Sequence, residues 1–184
     1  MNDNEAHGKF LGPGEVRIVR TLPGPIERVW QYLIDPEKRA RWFAGGALEP
    51  RSGGRVEFAM RHANLSPGET PPEKYKHVHD TGVTFEGRVL RCEAPRLLVF
   101  TFGSDDSEVT FELTPQGSQV LLVLTHRATG EDRPEISNFA TGWHTHLSLL
   151  IAELEGAPRP LLWATHNRLL PEYEQRLRAA GNVP

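Results

Sequence analysis

A stretch late in the chain, residues 136–155 (ISNFATGWHTHLSLLIAELE), has the apolar periodicity of one long amphipathic helix. We expect Ser137 to be its N-cap, and Gly156 followed by Pro158 to end it. Its apolar side chains recur every three or four residues and so share one side of the helix: Phe139, Ala140, Trp143, Leu147, Leu150, Ile151 and Leu154. So wide a stripe has to be buried against another element.

The segments before this helix alternate in the way that short strands do. The clearest is residues 55–62, where Val56, Phe58, Met60 and His62 share one face. Similar patterns recur in five other segments: residues 15–22, 83–89, 98–102, 109–113 and 119–126. Two short helices are predicted after the first strand, within residues 26–43. The pattern predicts an α+β fold in which an antiparallel sheet is covered by the long helix.

The chain divides into three parts on this interpretation. Residues 1–12 are a flexible leader, residues 13–157 form the domain, and residues 158–184 are a helical extension packed on it, split in two by Pro171. The back of the long helix is small and uncharged, which indicates a second packed surface for this tail or for a second copy of the chain in a homodimer. Residues 63–80 are too long and proline-rich for a hairpin, so we expect a lid, a binding loop or disorder.

Charge and composition exclude several classes of partner. The net charge is −3 and the basic residues are scattered, which argues against nucleic acid and anionic membranes as partners. The N-terminus lacks a targeting pattern, and no run approaches the ~18 apolar residues that span a bilayer. The single cysteine, Cys92, suits a reducing compartment. We therefore expect a soluble, cytoplasmic protein.

Four segments in this order resemble a known family: SGGRVEF, GRVLRCEAPRLLVFTFG, SEVTFELTPQG and GWHTHLSLLIAELEG. They resemble bacterial proteins with the domain named after the activator of the heat-shock-protein-90 ATPase, within the START-like, birch-pollen-allergen-like SRPBCC superfamily. The resemblance implies a helix-grip fold, in which a curved sheet of six to seven antiparallel strands grips the long helix. It also implies two small helices closing one end, and a cavity between sheet and helix. Superfamily members include lipid carriers, hormone receptors, ring cyclases and hydrolases.

The apolar rows and the histidines near them are candidates for a ligand-binding cavity, although the same rows could simply fill a core. We expect a small hydrophobic or amphipathic ligand, with the 63–80 loop gating entry and Trp42 closing the mouth. His62, Tyr75, His144 or His146 would hold the polar end of the ligand. The candidate ligand-binding residues are Trp42, Phe58, Met60, His62, Tyr75, Phe85, Phe100, Trp143, His144, His146 and Leu147.

The histidine spacings do not identify a metal site. His144 and His146 lie about 200° apart on a helix and cannot reach one ion. His77 and His79 would share a face if extended, but the third ligand they need, His62 or Asp80, follows no recognised spacing. No CxxC, HExxH or EF-hand pattern is present. We predict neither a metal nor a cofactor.

The sequence likewise shows no nucleophile paired with a base, so we predict no catalytic residues. Two alternatives to a binding module remain open. One is a cyclase- or hydrolase-type enzyme in which a cavity histidine is the general acid and base. The other is a chaperone-interaction module, as the family name suggests. That role belongs to longer family members with a further domain, and it would need an exposed apolar patch.

Overall fold

Seven antiparallel strands form one open sheet in the order β1-β2-β7-β6-β5-β4-β3 in a computed structural model that describes residues 3–181. The strands are β1 (Lys9–Gly12), β2 (Glu15–Pro23), β3 (Arg55–Met60), β4 (Val83–Glu93), β5 (Leu97–Thr101), β6 (Ser107–Gln116) and β7 (Gln119–Ala128). The helices are α1 (Ile26–Ile34), α2 (Pro36–Arg39), α3 (Lys76–Asp80), α4 (Ile136–Glu155) and α5 (Leu162–Ala179). Four 3-10 turns complete the secondary structure: Asp3–Glu5, His62–Asn64, Glu73–Tyr75 and Gly130–Glu135.

The long helix α4 lies across the sheet against β2 and β7, and α5 covers its other side. Alternate residues of the central strands are buried beneath it: Val16, Ile18 and Leu22 in β2, Val109, Phe111 and Leu113 in β6, and Val120, Leu122 and Leu124 in β7. This is the helix-grip arrangement that the resemblance implied. Because α5 of the same chain covers the back of α4, that surface no longer indicates a homodimer. Within residues 3–181, no helix has the length and apolar character needed to cross a bilayer.

The ends of α4 match the sequence pattern in part. Gly156 adopts a left-handed conformation (φ 63°) and its N–H bonds to the carbonyl of Ala152, as predicted. Ser137, however, is not the N-cap. The helix begins at Ile136, because the 3-10 turn before it runs directly into the first helical turn and no side chain caps it.

The predicted flexible leader is largely structured. Strand β1 pairs with β2, and the side chain of Asn4 bonds to both backbone groups of Thr21, each at 2.7 Å. The physical reason is that β2 would otherwise leave a row of unpaired backbone groups at the sheet edge. Residues 1 and 2 of the predicted leader lie outside the described residues.

Two further boundaries differ from the predictions. α5 runs through Pro171 as one helix, because the packing of Leu169, Tyr173 and Leu177 against the domain outweighs the lost hydrogen bond. Strand β3 ends at Met60, and His62 begins a 3-10 turn instead of continuing the strand. This turn directs the chain away from the sheet and toward α5.

Candidate functional site

A cavity of about 320 Å³ lies where β3 ends and β4 begins, between the sheet and the N-terminal half of α4. It is closed by residues 62–80, here called the covering loop, and by the first turns of α5. Most of the wall is aromatic or aliphatic, as expected of a small-molecule site. The lining residues are Phe43, Met60, His62, Lys74, Tyr75, Val78, Val83, Phe85, Phe102, Glu135, Asn138, Phe139, Gly142, Trp143, Thr145, His146, Leu162, Trp163 and His166.

Six of the eleven predicted ligand-binding residues line this cavity: Met60, His62, Tyr75, Phe85, Trp143 and His146. Three others, Trp42, Phe58 and Phe100, surround a gap of only about 10 Å³ at the other end of the grip. Such a gap holds one water molecule at most. The structure therefore places these three side chains in a filled core, with Trp42 buried rather than at a mouth.

Arg39 fixes the chain segment after α2, which includes Trp42 and Phe43 and fills this end of the grip. Its buried guanidinium donates hydrogen bonds to five backbone carbonyls, including those of Ala44, Gly46 and Glu57. Burial lowers the pKa of Arg39 to about 10. The carbonyl bonds hold the chain so that Trp42 enters the core and Phe43, the next residue, reaches the cavity wall.

His144 and His146 point to opposite sides of α4, as their angular separation predicts. His146 faces the cavity, and its Nδ1 lies 2.7 Å from the carbonyl oxygen of Trp42. His144 faces α5, where its Nδ1 lies 2.9 Å from the hydroxyl oxygen of Tyr173, and it borders a separate polar cleft. Leu147 is fully buried in the core and does not line the cavity. Only His146 of this pair can contact a molecule in the cavity.

Hydrogen bonding fixes the tautomer of His146. A carbonyl oxygen only accepts, so Nδ1 of His146 carries the proton that bonds Trp42, and Nε2 is left as an acceptor. Burial lowers the pKa of His146 to about 4, with the Trp42 hydrogen bond acting in the opposite direction. The side chain is therefore a neutral acceptor at neutral pH.

His62 is the least satisfied polar side chain at the cavity. It is only 8% exposed, and neither ring nitrogen has a hydrogen-bond partner among the described residues. Nδ1 of His166 is buried without a partner as well. Burial first, and then the neighbouring histidines His146, His79 and His166, lower the pKa of His62 to about 3. Leaving buried polar atoms unpaired costs about 1–3 kcal/mol each, so this arrangement calls for an explanation.

Glu69 of the covering loop caps α5 from a distance. Its carboxylate accepts hydrogen bonds from the backbone N–H groups of Leu162, Trp163 and Ala164, at 2.7 to 3.1 Å. These are the unpaired amides of the first helical turn, and α5 has no cap of its own. One carboxylate thus joins the two segments that close the cavity.

We expect Glu69→Ala to loosen this closure. Losing a helix cap costs about 0.5–2 kcal/mol, and here the negative charge at the positive end of the helix is lost too. Amide hydrogen exchange should become faster in the first turn of α5 and in the covering loop, with little change in β6 and β7. Glu73→Ala, an exposed change in the same loop, is the control. Equal protection of α5 in Glu69→Ala and the control would contradict the capping role.

A second contact joins the covering loop to α5 through His79. This residue and His77 are the two histidines that the sequence made candidates for metal ligands. The two lie in the helix α3, not in an extended strand, so they do not share a face. His79 is buried and its Nδ1 accepts a hydrogen bond from Nε1 of Trp163 at 3.0 Å, whereas His77 is exposed. Within residues 3–181, no three His, Cys, Asp or Glu side chains are grouped to hold a metal ion.

A buried serine–histidine pair lies behind Trp143. Oγ of Ser107 is 2.7 Å from Nε2 of His126, and Nε1 of Trp143 donates to Nδ1 of the same ring at 2.8 Å. Because an indole only donates, Nδ1 must be the unprotonated nitrogen, and Nε2–H points at the serine. His126 therefore cannot take a proton from Ser107, and both residues are fully buried. The pair positions Trp143 and is not a nucleophile with its base.

Gly142 occupies the interior of α4 on the cavity side. Glycine within a helix costs about 0.5–1 kcal/mol relative to alanine, so its presence needs a reason. A Cβ atom added here would meet nothing within 4 Å. The missing side chain leaves open space next to Trp143 and so enlarges the cavity.

Several wall residues were absent from the sequence-based set. Trp163 and His166 come from α5, Val78 from α3, and Phe43 from the turn after α2. Lys74 and Glu135 stand at the exposed edge of the cavity, with a 3.5 Å ion pair across it. Of these residues, only Trp163 and His166 could have been placed on one face from the sequence, because they lie three residues apart in a predicted helix. Gly142 could also have been noticed, because a glycine is unusual inside so strong a helical pattern.

Comparisons with known proteins agree with this architecture. The family model described as "Activator of Hsp90 ATPase homolog 1-like protein" matches residues 23–155. A protein from Bordetella parapertussis, solved in solution, is 43% identical over 94% of this chain and 91% of its own, with a TM-score of 0.78. No curated protein matches the chain.

Two more distant structures share the fold. CalU16 from Micromonospora echinospora is 23% identical over 89% of this chain and 88% of its own, with a TM-score of 0.63. A conserved protein of unknown function from Enterococcus faecalis is 15% identical over 97% of this chain and 93% of its own, with a TM-score of 0.71. The region that the family model matches, residues 23–155, includes the sheet from the end of β2 onward, the small helices and the whole of α4. The chain thus belongs to the family of Activator of Hsp90 ATPase homolog 1-like proteins, within the helix-grip fold.

Proposed function

We propose that the protein binds a small hydrophobic or amphipathic molecule in the cavity between the sheet and α4. The observation that carries this proposal is an aromatic-lined space of about 320 Å³ in a molecule whose remaining grip is filled by side chains. Ligand sites are typically of about 300–1,000 Å³, so the cavity suits a small ligand. At about 30 Å³ for each water displaced, it has room for a molecule on the order of ten to fifteen non-hydrogen atoms.

Apolar burial supplies most of the attraction in this proposal. A two-ring aromatic molecule buries about as much surface as a tryptophan side chain, about 200 Å². At about 25 cal/mol per Å² this gives ~5 kcal/mol, or a Kd on the order of 0.2 mM. Such affinity for a simple probe is measurable by NMR titration. A larger molecule that also satisfies the polar atoms of the wall would bind more tightly.

The enzyme alternative has no comparable support. The buried pair Ser107–His126 has the wrong tautomer for general-base catalysis and lies outside the cavity wall. His62 and His146 have pKa values of about 3 and 4, well below the range in which a general base works efficiently at neutral pH. The chaperone-interaction alternative likewise gains no observation in its favour.

Gly142→Phe tests the proposal without removing any existing contact. The new ring should enter the open space beside Trp143 and block the cavity while the fold is retained. In a titration with 2-naphthol followed by amide chemical shifts, we expect saturable shifts around the cavity in the wild type and none in this variant. Glu155→Phe places the same ring at the exposed end of α4 and should bind as the wild type does.

A smaller substitution at the same position, Gly142→Ala, is a check on the design. Gly142→Ala should raise the free energy of unfolding by about 0.5–1 kcal/mol, because alanine is the better helix former. Undiminished 2-naphthol binding by a folded Gly142→Phe variant would mean that the molecule binds elsewhere. Absence of saturable binding by the wild-type protein would overturn the proposed function.

A further inference from the structure

The inner wall of the cavity concentrates unpaired nitrogen atoms. Both nitrogens of His62 and Nδ1 of His166 are buried without a hydrogen-bond partner, and Nε2 of His146 is left free once its Nδ1 bonds Trp42. His62 is more than nine-tenths buried. Buried polar atoms are nearly always paired in folded proteins, so orphans at a cavity wall indicate a missing partner.

These nitrogens belong to one cluster. The ring centres of His62 and His146 are 5.5 Å apart, and that of Trp163 lies 5.1 Å from His62 and 5.6 Å from His166. The three imidazoles therefore lie on the same side of the cavity, where the covering loop, α4 and α5 meet. Because the ring centres of His62 and His146 are 5.5 Å apart, a ligand oxygen placed between these two rings would lie within hydrogen-bonding reach of both.

Among the described residues, the fixed charges of the cavity wall stand at its mouth, and one of them, Lys74, is near enough to His166 to add to the effect of burial, which lowers the pKa of that ring. The charged groups of the cavity wall are Lys74 and Glu135, which pair with each other at the half-exposed mouth. The other polar neighbours include His79, which is bonded to Trp163, and Asn138, whose amide bonds Glu135. Thr145 bonds the carbonyl of Thr141, and Asn167 hydrogen-bonds His166. Burial and mutual repulsion keep the pKa of His62 at about 3, so the imidazoles are uncharged at neutral pH. An ionised ligand group placed between His62 and His146 would lose its hydration and find no countercharge beside it, because Lys74 pairs with Glu135 at the mouth.

Neutral imidazole has one donor and one acceptor, and this limits the matching chemistry. His62 offers an N–H and a lone pair, and His146 offers only a lone pair at Nε2. A hydroxyl group can donate to one ring and accept from the other at the same time. A carboxylate only accepts, so it would leave the lone pair of His146 unpaired. An ammonium only donates, so it could bond both lone pairs but would leave the N–H of His62 unpaired, and either group would also bring a charge into the cluster.

We propose that the cavity selects an uncharged ligand bearing a hydroxyl group, of the alcohol or phenol class, which hydrogen-bonds His62 and His146 while its apolar body lies against the aromatic wall. This inference rests on the proposed function, because it specifies the polar group of the molecule bound in the same cavity. His62 is the residue that determines specificity, since both of its nitrogens are otherwise unpaired.

Three matched two-ring molecules test this assignment at pH 7.5: 2-naphthol, naphthalene and 2-naphthoate. We expect the wild type to bind 2-naphthol about 3- to 10-fold more tightly than naphthalene, the worth of about one net hydrogen bond. It should bind 2-naphthoate at least 10-fold more weakly than 2-naphthol. Titrations followed by amide chemical shifts measure all three affinities and also report whether the shifts lie at the cavity.

His62→Leu should remove the preference for 2-naphthol over naphthalene while naphthalene binding persists. His77→Leu, the same change at an exposed histidine of α3, should keep the preference. Because His62→Leu could perturb the covering loop, His62→Gln is a second variant. It retains a donor and an acceptor and should preserve at least part of the preference.

The outcomes separate this inference from the proposed function. If 2-naphthoate binds as tightly as 2-naphthol, or if His62→Leu keeps the full preference, the assignment of an uncharged hydroxyl to His62 is overturned while ligand binding stands. If none of the three molecules binds the wild type at the cavity, both proposals fall together.

Discussion

Lowering the pH from 7.5 to 5.5 is expected to remove about 5 kcal/mol from the free energy of unfolding, a large share of the ~5–15 kcal/mol typical of a domain. The cause is a set of four buried, uncharged histidines. Burial lowers the pKa of His62, His126 and His144 to about 3, and that of His146 to about 4. In the unfolded chain each returns to its ordinary pKa of about 6.5.

The direction follows from proton uptake. Between about pH 6.5 and pH 3 the unfolded chain binds protons that the folded chain does not, so stability falls as the pH falls through this window. Above about pH 7.5 both states are uncharged at these sites and stability should be nearly constant. Over the interval from pH 7.5 to 5.5 each histidine removes about 1.4 kcal/mol, and the four together remove about 5 kcal/mol.

Urea unfolding at pH 7.5, 6.5 and 5.5 measures this dependence. His62→Leu removes one of the four groups and should reduce the loss to about 4 kcal/mol, in line with one fewer proton taken up. The exposed change His77→Leu should leave the loss unaltered. Equal stability at pH 7.5 and 5.5 would mean that the four rings are not held uncharged in the folded protein.

Trp143→Ala should cost about 4–8 kcal/mol, the largest effect we expect from a single substitution. Removing a buried tryptophan costs about 3–5 kcal/mol, and an orphaned acceptor adds about 1–3 kcal/mol. Trp143 is 3% exposed, its ring centre lies 4.7 Å from that of Phe43 and 5.7 Å from that of Phe111, and it supplies the proton bound by Nδ1 of His126. The variant should either unfold or lose 2-naphthol binding.

Trp143→Phe separates the two contributions to that loss. It retains an aromatic ring but not the donor, so it should cost less than the alanine variant. In a double-mutant cycle with His126→Leu, we expect a coupling energy of about 0.5–3 kcal/mol between the two side chains. Urea unfolding of the three variants gives this value. A folded Trp143→Ala protein with unchanged 2-naphthol affinity would remove Trp143 from the binding site.

The architecture was predictable because its signals are local. The alternation of residues 55–60 identified β3, and the spacing of Trp143, Leu147 and Leu150 identified α4. The same helical geometry separated His144 from His146, and the structure places them on opposite sides. Each of these features is set by neighbours within a few residues in the chain.

The open part of the grip could not be located in this way. Phe58 and Phe85 pair across β3 and β4, yet Phe85 lines the cavity and Phe58 lies in the filled core. Which of the two rings faces the cavity depends on where Trp42 packs. The position of Trp42 depends in turn on the hydrogen bonds that Arg39 donates to backbone carbonyls. Glu69 acts on an amide 93 residues away in the chain, a contact with no local sequence pattern. Contacts of this kind, between residues far apart in the chain, determine the position and the lining of the cavity, whereas local patterns determine the fold.

The cavity wall extends beyond the region that defines the family. The match ends at residue 155, whereas Leu162, Trp163 and His166 all follow it. A chain that kept the matched region but carried another C-terminal helix would retain the grip and present a different surface to a molecule in the proposed binding cavity. Exchange of this one helix could thus alter molecular recognition while every strand stayed as it is, so new binding preferences could be grafted onto an unaltered scaffold.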